Sequence, residues 1–163
     1  LNYPGGPEIE KLAIGGNKEL IDFPRPILND STYNFSFSGL KTSVRNIISK
    51  RETGEVPFLS DSDISAGFQK AVIDVLTDKV FLACKKEKLN RIVLTGGVAA
   101  NSALRKTIAT RADSHGLKSF FPKPEFCTDN AAMIACAGYY KSLNKRLSLK
   151  DMLNIDAKAS LKL

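Results

Sequence analysis

The stretch RIVLTGGVAAN, residues 91–101, constrains the fold more than any other part of the chain. An apolar, β-branched run, Ile92 to Leu94, meets two glycines, and a helical pattern follows at once. A wholly apolar run of that length fits a parallel strand buried on both faces. The pattern after it predicts a helix from about 99 to 114, with Leu104, Ile108 and Ala112 inward and Gly116 just past its end. Lys118 to Phe121 reads as a second strand, ended by Pro122 and Pro124, and a last helix runs from about Asp129 to Leu143. Strand, turn, helix, strand, helix makes a right-handed α/β unit, whose ligand-binding loops lie at the carboxyl ends of its strands.

The remainder is mostly helical in pattern. Residues 1–33 are loop-rich, broken by Pro4, Pro7, Pro24 and Pro26, with a short helix expected over 8–13. Tyr33 to Phe37 alternates aromatic and polar residues, as a short extended run does. Ser38 fits the N-cap of a helix over 39–51 whose inward face is Leu40, Val44, Ile47 and Ile48, and Gly54 and Pro57 close it. Residues 61–88 read as one long helix, capped by Ser60 or Asp61, with a stripe of Ile64, Phe68, Val72, Leu76 (or Val75), Val80 and Ala83. The tail, 144–163, carries weak signals and is expected to be partly disordered. The chain does not begin with Met and opens in a glycine-rich turn, so we expect a fragment with its missing part N-terminal.

Four short segments carry candidate chemistry. Gly96 and Gly97 sit where strand gives way to helix, where positive φ, close approach and free N–H groups together favour an anion such as phosphate. A packing turn that binds nothing explains the same glycines equally well. No Lys-Ser/Thr follows, so this is not a Walker A loop, and the spacing is not that of a dinucleotide fingerprint. Asn101 can reach a ribose or a phosphate, or simply start the helix. In CTDNAAMIA, residues 127–135, Thr128 or Asp129 reads as an N-cap, and the sharper reading makes Asp129 a metal ligand. In YPGGPEIE, residues 3–10, two glycines between prolines form a close-approach loop, with Glu10 on the helix behind it. In FSFSGLKTSVR, residues 35–45, Lys41 and Arg45 share a helix face that either meets phosphates or is merely solvated.

Composition narrows the field. The single histidine, His115, precedes Gly116 at a helix end and cannot complete a metal site with Asp129 alone. Three cysteines without metal-type spacing suit a reducing compartment. A net charge of +7 admits a polyanionic partner. No apolar run reaches the roughly 18 residues of a membrane span. No Ser-His-Asp set or zincin motif supports a protease.

In order, YPGGP, FSFSGLKT, GGVAAN and PEFCTDNAAMIA resemble the TsaD/Gcp family, tRNA N6-adenosine threonylcarbamoyltransferases formerly described as O-sialoglycoprotein endopeptidases. The resemblance spans residues 1 to about 143. It implies the C-terminal lobe of an actin/Hsp70/sugar-kinase-like (ASKHA) α/β fold, helix-rich with a short sheet, followed by a basic tail over 144–163. It implies transfer of a threonylcarbamoyl group from threonylcarbamoyl-adenylate to N6 of adenosine 37 in tRNAs reading ANN codons, in the cytoplasm, together with other subunits of a transfer complex. It places substrate and nucleotide contacts on Gly6, Glu10 (often Asp in the family), Gly96, Gly97 and Asn101. It places a divalent metal, iron ahead of zinc or magnesium, on Asp129, acting as a Lewis acid with histidine ligands missing from this chain. It supplies no nucleophile, and direct attack by the amine needs none. Alternatives in the same fold are a non-catalytic scaffold paralogue and another ATP-using carbamoyl- or phosphotransferase. By itself the fragment is expected to be inactive.

Overall fold

The computed structural model describes residues 1–26, 32–144, 148–154 and 156. They divide into two compact units, Leu1–Cys127 and Thr128–Leu163, each described by itself. The first runs α1 (Gly5–Ala13), α2 (Ser38–Glu52), α3 (Asp61–Lys86), β1 (Arg91–Val93), α4 (Ser102–Ser114) and β2 (Lys118–Phe120). The second holds α5 (Ala131–Asn144) and α6 (Leu149–Leu153). No helix among the described residues is long and apolar enough to cross a membrane.

The helix α3 organises the first unit. Ser60 caps it: its Oγ accepts from the Asp63 N–H at 3.1 Å, while the Asp63 carboxylate accepts from the Ser60 N–H at 3.1 Å. Each side chain satisfies a donor that the helix start leaves without a partner. The predicted stripe is only part of what α3 buries. Its most enclosed positions are Ala71 and Val75, both 0% exposed, while Phe68, Val72, Leu76 and Val80 are half-buried. The physical reason is two-sided packing. Ile64 and Ala71 join Phe23, Leu40 and Leu59 in one cluster, and Ile73, Phe81 and Cys84 join Ile92, Leu104, Ile108 and Ala112 in another. Full burial of a side chain such as Leu104 or Ile108 contributes about 1.5–3 kcal/mol.

The strands β1 and β2 pair in parallel, Arg91 with Lys118 and Val93 with Phe120, with α4 as the crossover. The expected α/β unit is present, but β1 is not buried on both faces. Ile92 is 5% exposed, whereas Val93 is 67% exposed and Phe120 50%. Among the described residues of this unit, helices cover one face of the two-stranded sheet only.

Three boundaries differ from the sequence reading. The helix α1 begins at Gly5, so the two glycines form its first turn and not a loop. Phe37 precedes α2 and Ser38 is its first helical residue, with no side-chain cap. Residues 33–37 join no ladder, since neither strand pairs with them. Within the expected disordered tail α6 forms; residues 145–147, 155 and 157–163 lie outside the described residues.

Candidate functional site

The turn after β1 is built in two steps. Gly96 has φ +91° and ψ 171°, a region that is essentially glycine-only. A 3₁₀ helix, Gly97–Ala100, follows, then Asn101 in extended conformation, and only then α4. The strand therefore does not pass directly into the α-helix from about residue 99, as the pattern predicted. The change matters for anion binding. At the start of α4, Ser102 donates from N–H and Oγ to Glu10 Oε1 at 2.7 and 2.5 Å, and the Leu104 N–H donates to Asn101 Oδ1 at 2.8 Å. Glu10 thus places a carboxylate at the positive end of α4. The N–H groups of Gly97 and Val98, both on exposed residues, have no acceptor among the described residues. The turn's open donors belong to the 3₁₀ helix.

Glu10, Asn101, Gly96 and Gly97 therefore converge on one loop at the carboxyl end of β1. Gly6, one turn before Glu10, shares its face of α1. Asn101 is more committed than its sequence suggested. Besides capping α4, its Nδ2 donates to Gln69 Oε1 on α3 at 2.7 Å. One amide hydrogen and one lone pair remain for a ligand. Glu10 keeps Oε2 open in the same way.

Two contributors escaped the sequence reading. Gln69 orients the Asn101 amide. Arg105 ties the turn to the loop after β2: Nε donates to Ala99 O at 2.5 Å, and Nη2 donates to Pro122 O at 2.6 Å and to Cys127 Sγ at 3.0 Å. Its guanidinium also lies 5.6 Å from the Phe121 ring. Nothing in the local pattern distinguished Arg105 from its solvated neighbour Lys106, because two of its three hydrogen-bond partners, Pro122 and Cys127, lie well beyond the turn.

In the second unit the Asn130 Oδ1 accepts from the Met133 N–H at 2.9 Å. Asn130 thus makes the helix-start contact that the sequence reading gave to Thr128 or Asp129. Asp129 is exposed and sits in irregular backbone two residues before α5. No three His, Cys, Asp or Glu side chains come together to hold a metal among the described residues. His115 is the C-cap of α4 and is exposed. On α2, Lys41 and Arg45 are exposed and form no ion pair among the described residues, whereas Arg51 pairs with Asp61 at 2.5 Å and Lys50 with Glu55 at 3.9 Å.

The sequence that builds this loop matches a known family over most of its length. The family model described as TsaD, tRNA N6-adenosine threonylcarbamoyltransferase, matches residues 1–136. The chain belongs to the TsaD family. Curated relatives of that description include one from Clostridium beijerinckii, 47% identical over the whole chain, which covers 47% of that relative. One from Thermosipho africanus is 52% identical over 85% of this chain and 41% of the relative. One from Clostridium perfringens is 44% identical over the whole chain. The chain spans about half the length of the curated relatives it matches.

Proposed function

We propose that this chain contributes the adenylate-holding lobe of a tRNA threonylcarbamoyltransferase, the C-terminal part of an ASKHA fold. The observation that carries the reading is the convergence of Glu10, Asn101 and the open N–H groups of Gly97 and Val98 on one exposed loop. Adjacent N–H donors suit a phosphate oxygen. Beside them, the open Glu10 Oε2 suits a ribose hydroxyl, with the spare Asn101 amide valences next to it. Held there, the threonylcarbamoyl-adenylate presents its carbamoyl carbon to N6 of the tRNA adenosine. The new C–N bond forms as the C–O bond to AMP breaks; AMP leaves with the electron pair, and the proton lost from N6 passes to solvent. The backbone donors also offset the charge that develops on the leaving phosphate.

In this reading Asp129 supplies one carboxylate to a divalent metal, iron ahead of zinc or magnesium. This chain's described residues do not complete such a site, so no step is assigned to the metal. Lys41 and Arg45 are phosphate-contacting candidates for tRNA, acting in the cytoplasm with further subunits of a transfer complex. Without the remaining half the chain is inactive.

The test uses a chain of the relatives' full length, an unmodified tRNA transcript and threonylcarbamoyl-adenylate, with nucleoside mass spectrometry as readout. Threonylcarbamoyladenosine forms in the wild type and falls by at least about tenfold in Glu10→Ala, the effect of losing roughly 1.4 kcal/mol of transition-state stabilisation. Wild-type protein that leaves the nucleoside unmodified with all partners present overturns the reading.

A further inference from the structure

Three helices of the first unit end in the same backbone motif, in which the residue past the cap turns left-handed and the next N–H reaches back five residues. At the end of α2 this is Gly54, φ +80°, with the Glu55 N–H on Lys50 O at 2.9 Å. At the end of α4 it is Gly116, φ +68°, with the Leu117 N–H on Ala112 O at 2.9 Å. At the end of α3 the Leu89 N–H donates to Cys84 O at 2.9 Å, and the left-handed residue is Lys88, φ +55°. It is the only non-glycine with positive φ among the described residues. Glycine meets this geometry without strain and lysine does not. A local rule broken at a charged, exposed position points to a use for the side chain.

Lys88 lines an open concavity of about 650 Å³ between the C-terminal ends of α3 and α4. Lys85 lines it too, over a floor that includes Leu82 and Leu117. Its acidic lining residue, Asp78, is neutralised by an ion pair with Arg111, whose guanidinium lies 4.6 Å from the Phe81 ring. The chain leaves this concavity through Leu89 and Leu117 directly into the sheet, where Arg91 and Lys118 are register partners and both exposed. Lys85, Lys88, Arg91 and Lys118 form no ion pair among the described residues, whereas the nearby Glu87 accepts from Tyr33. Two helix C-termini, which are themselves partly negative, account for one or two flanking cations. They do not account for a lysine held in a glycine conformation.

We propose that this concavity is a contact surface for the phosphate backbone of RNA, with Lys85 and Lys88 at its rim and Arg91 and Lys118 continuing the track. It lies at the amino ends of β1 and β2, the opposite end of the sheet from the glycine turn. The proposal rests on the tRNA-transferase reading for the identity of the partner. Point-charge contacts of this type position RNA and carry little sequence information.

The experiment measures binding of an unmodified tRNA transcript to the full chain across a salt series, for wild type, Lys88→Gly, Lys85→Ala and the double variant. Lys88→Gly removes the charge while relieving the backbone, so loss of folding does not confound it. The expected result is weaker binding and a slope of log affinity against log salt flatter by roughly 0.7–0.9 per lysine removed. Curves that overlay for folded variants overturn the surface and leave the adenylate reading standing. A wild-type chain without salt-dependent affinity for tRNA overturns it as well. Equal losses toward polyglutamate of matched charge show an acidic-protein surface instead and overturn the RNA assignment. Failure of the adenylate reading is seen separately, in the nucleoside assay, which does not depend on these lysines.

Discussion

The two glycines of the turn are not equivalent, and the difference separates folding from binding. Gly96, at φ +91° and ψ 171°, occupies backbone space that side chains strain by about 1–3 kcal/mol, so Gly96→Ala lowers stability by that amount. Gly97 lies in the 3₁₀ helix without positive φ, and a Cβ built there meets no atom within 4 Å. Gly97→Val therefore leaves the melting temperature near wild type. It reduces affinity for an adenine nucleotide, because the branched side chain stands where the phosphate would approach. Calorimetry with AMP on folded Gly97→Val in a chain of the relatives' full length checks this; unchanged affinity reduces the turn to a structural feature. Arg105 acts at the same scale. Arg105→Ala leaves the carbonyls of Ala99 and Pro122 without their donor, a loss of about 1–3 kcal/mol measured by denaturant unfolding.

The helix ends make their own predictions. Replacing Lys88 by glycine removes left-handed strain of about 1–2 kcal/mol, offset in part by the roughly 0.5–1 kcal/mol of entropy that glycine loses on folding. The net effect is a small gain in stability, seen as a raised midpoint in urea. A lowered midpoint would show that Lys88 is anchored by contacts that outweigh the strain. At the other end of α3, hydrogen bonds from Ser60 and from the Asn17 and Ser60 N–H groups hold the Asp63 carboxyl below its ordinary value of 3.8. A depressed folded value stabilises the charged form. The contribution is present in full above about pH 4 and is lost as pH falls through the lower folded value. The stability difference between wild type and Asp63→Asn should shrink across that acid window, and a difference constant with pH would rule out the linkage.

For the whole molecule, the division at Cys127 places the glycine turn after β1 in one unit and Asp129 in the other. Because Asn130 makes the helix-start contact of α5, Asp129→Ala should leave the fold almost unchanged. In a chain of the relatives' full length it should abolish metal retention, read by elemental analysis of the purified protein. A large drop in melting temperature in metal-free buffer would return Asp129 to a capping role, worth about 1 kcal/mol. The half-covered sheet belongs to the same scale. Val93 and Phe120 lie open on one face, 67% and 50% exposed.

Local patterns were enough to specify the existence and order of α2, α3, β1, α4, β2 and α5, to narrow the cap of α3 to Ser60 or Asp61, and to mark Gly116 as a helix terminator. These features depend on side-chain period and on residues within a turn of one another. The candidate residues Gly6, Glu10, Gly96, Gly97 and Asn101 could also be named, as could the family whose motifs they form. Tertiary structure decided what those residues touch. Glu10 meets Ser102 across 92 positions of sequence and Asn101 meets Gln69 across 32, so no local rule could show that the start of α4 is already occupied by a carboxylate. The same holds for Arg105, whose role comes from two strand-end loops brought side by side. It holds for α3 as well: its stripe marked one buried face, and packing from both sides added Ala71 and chose Val75 over Leu76 as its innermost positions. Period in a sequence reports which face is apolar, whereas depth depends on how many neighbours arrive from elsewhere in the chain.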